Sequence, residues 1–169
     1  AEGGQQIVPD LRASIYRIVA ANSTDDEFDR FFELYKNADS SPERNRIGSS
    51  MGATKKPNQI AKVLQFALSP AVRSQDAPSV ITAVTGTLVG REMAWDFLKD
   101  NKEELKERYA NDLLVGRLVK GIVGNFASEA KAQEVEQFFH QNNFGGSARA
   151  VHQAWESSGL KAAVMREVR

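Results

Sequence analysis

A chain of 169 residues is long enough to bury a core without metal or disulfide support, and it suits one domain or one compact segment of a larger protein. With 22 basic and 22 acidic residues the formal net charge is zero, so no overall field draws the chain to nucleic acid or to an anionic membrane. Cysteine is absent, which excludes disulfides, thiolate metal sites and cysteine nucleophiles and fits a reducing, cytoplasmic setting, and no apolar run approaches the roughly 18 residues of a membrane helix.

The first six residues are polar and show no basic-then-apolar leader pattern, and a start at Ala1 predicts that upstream sequence has been removed. Pro9 and Asp10 suit a first helical turn, and Leu11, Ile15, Ile18 and Val19 then recur on one helical face, the expected buried face. Asn22-Ser23-Thr24 has the form of a glycosylation sequon, but it opens the next helix, with Thr24 as cap, acidic residues at 25–27 and a buried stripe of Phe28, Phe31, Phe32 and Tyr35. Ser41, Pro42 and Glu43 read as cap and first turn of a short third helix ending near Gly52. Pro57 begins a fourth with Ile60, Val63, Leu64 and Ala67 on one face, stopped by Ser69-Pro70.

Asp76 caps a segment through Val84 that Gly86 and Gly90 weaken; its β-branched residues leave a strand as the minor alternative. From Met93 to Tyr109 the pattern is one long helix or two abutting ones, with Lys99-Glu103 and Glu104-Arg108 at pair spacing. A broad apolar face from Leu114 to Phe126 predicts a central helix whose glycines at 116, 121 and 124 permit close packing. Ser128 caps a helix bearing Val135, Phe138 and Phe139, and after Gly145-Gly146 a last helix runs from Ser147 through Val151, Trp155, Leu160 and Val164. The fold class is therefore all-α, about nine helices in antiparallel pairs, compatible with a bundle or with a stacked HEAT- or armadillo-like solenoid.

Catalytic patterns are lacking. His140 and His152 form no His-Glu-x-x-His motif; His140 suits the last turn of its helix and His152 partly buried packing. The stretch 48–55 is glycine- and serine-rich but has neither the Gly-Lys-Ser/Thr of a phosphate loop nor a preceding strand, and no serine sits in a Gly-x-Ser-x-Gly elbow. Acidic clusters at 25–27 and 103–104 are accounted for by helix starts and surface pairs.

Four segments in order carry a resemblance: Asn37-Ala38-Asp39 through Arg44, Arg46 and Ile47 to Gly52-Ala53-Thr54; Phe66-Ala67-Leu68-Ser69; Val72-Arg73-Ser74-Gln75-Asp76; and Gly90-Arg91, Ala94-Trp95, Phe97-Leu98, Asn101 and Arg108-Tyr109. Over roughly Pro9 to Ala163 the chain resembles the C-terminal helical domain of the M1 zinc aminopeptidases, with the puromycin-sensitive branch as the expected affinity. The resemblance implies a HEAT-like bowl of which residues 1–169 are the latter part. In the family, zinc and its His-Glu-x-x-His ligands lie on a separate catalytic domain, and a Gly-x-Met-Glu-Asn loop grips the substrate amine; neither motif occurs in this chain, so no cofactor is expected in it.

The implied partners are that catalytic domain and peptide substrates, with no nucleic acid and no membrane, and a cut array is expected to self-associate through exposed apolar surface. The implied role is to enclose the substrate chamber, and Arg117 is the position that matches an arginine facing substrate in acid-preferring relatives. Arg44, Arg46, Arg73 and Arg91 also match family positions, where caps and inter-helix carbonyl bonds account for them. Lys161 and Val164 stand where the family pattern has Asn and Trp. The competing reading is an independent helical-repeat scaffold for a protein partner, and an enzyme with an unrecognised site is the third.

Overall fold

Helix starts in this chain are written as hydroxyl caps and first-turn prolines, and the computed structural model, which describes residues 8–109, 112–124, 126 and 128–142, bears most of them out. The described helices are α1 (Pro9–Asn22), α2 (Asp25–Lys36), α3 (Ser41–Met51), α4 (Pro57–Leu68), α5 (Ala77–Ala83), α6 (Leu88–Asp100), α7 (Lys102–Arg108), α8 (Asp112–Val123) and α9 (Glu129–Gln141), with a 3-10 turn at Val84–Gly86. Thr24 and Glu27 form a reciprocal capping box at the start of α2, and Ser128 accepts from the Lys131 amide at the start of α9. Ser40, not Ser41, caps α3, because the cap oxygen must reach the amide three residues on, which is that of Glu43 at 3.3 Å. Asp76 holds the cap position of α5 but makes no cap bond; its carboxylate pairs with Arg73 at 2.6 Å. No strand occurs among the described residues.

The helices stack in two layers. α3 packs against α1, α2 and α5; α5 packs against α3, α4 and α8; α4 also packs against α2 and α6. Two rows result, α1, α3, α5, α8 and α2, α4, α6, α9, consistent with an antiparallel repeat array. α9 joins its row through Trp95 of α6, which is fully buried with Phe138 at 5.2 Å and Phe126 at 6.2 Å between ring centroids, both edge-on. The stretch 93–109 divides at Asn101 into α6 and α7. Expected charge pairs rearrange there: Lys99 bonds Asp96 and Glu134, and the Arg108 guanidinium donates to the carbonyls of Leu68, Ser69 and Val72, closing the end of α4.

One expected face is mostly exposed, with Ile15 alone half-buried. α1 buries Ala20 and packs Tyr16 on the core, whereas Leu11, Ile18 and Val19 are exposed. The apolar periodicity is real, but α1 is the outermost described helix of its row, so only the side facing α3 is covered. The last expected helix, with Gly145-Gly146, His152, Lys161 and Val164, lies outside the described residues.

Spacing within the first row is set by glycine. A Cβ on Gly52 would lie 2.1 Å from the Ala83 carbonyl oxygen, and one on Gly121 would lie 2.2 Å from Thr82 Cγ2. α5 is therefore held between α3 and α8 by approaches that admit no side chain. Buried polar bonds lock the neighbouring connection: Thr54 donates to Gln59 Oε1 at 2.5 Å, Gln59 donates to Asp25 at 2.8 Å, and Lys56 donates to the Ser23 carbonyl at 2.6 Å. Between α6 and α9, Glu134 accepts from Trp95 Nε1 at 2.6 Å and meets Lys131 and Lys99. Burial pushes its carboxyl up, but these donors outweigh that and hold it at about 2.

Gly52→Val and Gly121→Val are each expected to cost at least about 2 kcal/mol in urea unfolding. Gly86→Ala, whose Cβ would meet nothing within 4 Å, should change stability by no more than about 0.5 kcal/mol. For Glu134 the depressed carboxyl means stability that is present above its ordinary value of 4.5 and is lost as pH falls toward about 2. Thermal melts of the chain and of Glu134→Gln should differ by a constant amount above pH 5 and converge between pH 4.5 and 2; an unchanged gap at pH 2 would contradict this.

Candidate functional site

Among the described residues no group of three or more His, Asp or Glu side chains is placed to hold a metal ion. His140 occupies the last turn of α9, 3.9 Å from Glu136 and largely exposed. The acidic run at 25–27 forms the first turn of α2, and Glu103 pairs with Lys106 at 3.1 Å. The stretch 48–55 is no anion cradle: Gly48 lies against the Tyr35 ring and Gly52 against Ala83. Asn22 of the sequon donates to the Ile18 carbonyl at 2.7 Å, and the Thr24 hydroxyl serves the α2 cap.

The arginines at the resemblance positions are structural. Arg44 donates to the Ala38 carbonyl at 3.1 Å and Arg91 to the Thr85 carbonyl at 3.0 Å. Arg73 bonds Asp76, and Arg46 pairs with Glu43. Glu43 also accepts from the Tyr16 hydroxyl at 2.7 Å and faces Arg12 at 3.6 Å. Burial would raise the Glu43 carboxyl, but Tyr16 and the two arginines hold it below the ordinary carboxylate range, which makes it an anchor between α1 and α3 and not a proton donor. Burial pushes the Tyr109 phenol up to about 12, so it stays protonated beside Arg108.

Arg117 stands apart. It is exposed on α8, one helical turn before Gly121 and so on the side of α8 that stacks on Thr82 of α5. No hydrogen bond or ion pair among the described residues engages its side chain. Near this seam a groove of about 630 Å³ opens at the C-terminal ends of α1, α3 and α5. Gly52, Ala53 and Ala83 line its apolar part, Thr82 and Thr85 add hydroxyls that donate to backbone carbonyls, and among the described residues Arg17 and Lys55 are its charged ones. The groove exists because Gly52 brings α3 onto α5 without a side chain to fill the space. Sequence reasoning singled out Arg117 but not Arg17, and it weighed Lys55 only as the last residue of the stretch 48–55. The structure brings those two together, on the same row as Arg117.

The described side chains thus offer a surface that can bind, without a nucleophile-base pair or a ligand set. No described helix is long and apolar enough to cross a membrane. Comparison with known sequences supplies the context. A family model described as ERAP1-like C-terminal domain matches residues 1–158. Aminopeptidase M1 of Arabidopsis thaliana is 33% identical over 157 residues, covering 91% of this chain and 18% of that protein. Aminopeptidase N of Bos taurus is 30% identical over 157 residues, 90% of this chain and 16% of its own length, and aminopeptidase M1-B of Oryza sativa subsp. japonica is 29% identical over 164 residues, 95% of this chain and 18% of that protein. The chain therefore spans under a fifth of the relatives it matches, and that portion places it: this chain belongs to the ERAP1-like C-terminal domain family of the M1 aminopeptidases.

Proposed function

We propose that the chain is the non-catalytic C-terminal portion of a zinc-dependent aminopeptidase, enclosing the substrate chamber and governing peptide access to an active site on another domain of the same polypeptide. The observation that carries this reading is the match of nine-tenths of the chain to a sixth of aminopeptidase N, over a segment whose described residues hold no metal-ligating cluster. Zinc belongs to the catalytic domain in this reading, and the cysteine-free composition supports a cytoplasmic location. Arg117, exposed and without a described partner, is the residue assigned to contact peptide beyond its first positions.

A clean preparation of the 169-residue chain should bind no stoichiometric zinc and should not hydrolyse aminoacyl-coumarin substrates; robust turnover would sink the proposal. In the full-length parent, Arg117→Gln should raise KM at least about threefold for peptides of several residues, with kcat and the KM for aminoacyl-coumarin unchanged. Equal effects on long and minimal substrates would remove Arg117 from this role. The exposed Leu11, Ile18 and Val19 further support self-association of the isolated chain. Sedimentation velocity at about 50 µM should show a dimer that Ile18→Lys dissolves, and a monomer throughout would contradict it.

A further inference from the structure

Gly48 stands one helical turn before Gly52, and it too faces α5. A Cβ there would lie 3.2 Å from Cε2 of Tyr35 and 3.4 Å from Cγ2 of Val80. Cε2 is two bonds from the phenol oxygen, so this glycine lets the hydroxyl end of a ring from α2 reach in between α3 and α5. A crevice of about 140 Å³ opens at that point. The buried Tyr35 and Val80 line it from within, Asp76 and Ser79 stand at the start of α5, and Asn45 and Ser49 come from α3.

A buried polar group is nearly always paired, because an unpaired one has given up its bonds to water for nothing. Tyr35 is 1% exposed, yet its hydroxyl meets no hydrogen-bonding partner among the described residues. Other groups around the crevice are uncommitted too. Asp76 gives one carboxylate oxygen to Arg73 and caps no amide, so no donor among the described residues engages its second oxygen. Asn45, Ser49 and Ser79 are exposed, and their side chains make no hydrogen bond among the described residues.

The polarity of these groups selects what fits. Burial first, and then the Asp76 carboxylate, pushes the Tyr35 phenol up against the opposing pull of Arg44 and Arg73, so it keeps its proton and offers a donor. Asp76 offers an acceptor. A group that joins them must accept from the one and donate to the other. A simple anion donates nothing and meets the Asp76 charge. A metal or ammonium cation has no lone pair for the Tyr35 proton and meets Arg73 and Arg44. An uncharged O–H does both. The volume also suits it, holding roughly four waters at the ~30 Å³ each fills in the liquid, or one three-carbon polyol.

We propose that the crevice between α3 and α5 is a binding site for uncharged hydroxyl groups, of water or of a small polyol, that accept from the Tyr35 hydroxyl and donate to the second oxygen of Asp76. Asn45, Ser49 and Ser79 bond the hydroxyls nearest the mouth. The bridge ties α2 to the start of α5, at the opposite end of that helix from the Gly52 contact. It does not depend on the aminopeptidase reading.

Thermal melts of the 169-residue chain test the bridge first. Tyr35→Phe removes the hydroxyl alone and should lower Tm by at least about 2 °C, the loss of one made hydrogen bond in a chain of this size. That loss should shrink by at least about half when Asp76 is already Ala, because the two side chains share the bridge. An unbonded hydroxyl gives no change or a rise in Tm for Tyr35→Phe, and either result, or equal losses in the two backgrounds, overturns the proposal. A crystal structure at atomic resolution, from crystals grown without polyols, should show ordered water within hydrogen-bonding distance of both Tyr35 Oη and Asp76. Side chains closing the crevice, or an ion there identified by rubidium or bromide anomalous scattering, would contradict it. Glycerol titration followed by amide NMR then tells the two sources apart. Saturable shifts at Gly48, Ser49 and Ser79 that weaken at least about tenfold in Tyr35→Phe identify a polyol site, and linear drift in both proteins identifies water as the occupant.

Discussion

The approach of α3 and α8 to α5, at glycines that leave no room for a Cβ, is the constraint on which the rest of this structure depends. α5 is short and carries no charge, and Ala77, Val80 and Ile81 alone give a seven-residue helix little to hold it. What fixes it is contact on both sides: Gly52 on the Ala83 backbone and Gly121 on Thr82. Dispersion and excluded water at such distances act along the whole seam, and a single methyl group would push the helices apart. The same absence of side chains leaves the groove open at the end of the seam, so packing and surface share one cause.

Around that seam the polar bonds act as stops at helix ends. Arg108 closes the last turn of α4, Gln59 and Lys56 tie the turn before α2 to the start of α4, and Glu134 holds α9 to α6 through Trp95. Each bond joins elements that are next to one another in the stack, as nearest-neighbour stabilisation of a repeat array requires. The result is a frame that is stiff inside each row and offers its outward faces for recognition.

Much of this was legible in the sequence, for stated reasons. Phe28, Phe31 and Tyr35 announced the buried stripe of α2, and Thr24, Pro57 and Ser128 announced helix starts, because caps and periodicity are local physics. The face of α1 was misassigned because periodicity tells which residues share a side but not whether a neighbour covers it. Two abutting helices over 93–109 were among the readings the pattern allowed, but the partners of Lys99 and Arg108 escaped because tertiary acceptors replaced the helical pairs that spacing suggested. Arg117 was reachable only through resemblance. Arg17 and Lys55 come together only once α1 and the end of α3 are stacked.

The family match gives the chain its place, and the proposed function gives that place an orientation: the face of α8 that bears Arg117 is turned toward the parent's substrate chamber. Determining the structure of the full-length parent by electron cryomicroscopy tests this most directly. The proposed function predicts that Arg117 opens toward the catalytic domain's cleft while the acidic first turn of α2 looks outward. A parent in which α2 and α9 line the cleft and Arg117 faces bulk solvent would contradict it.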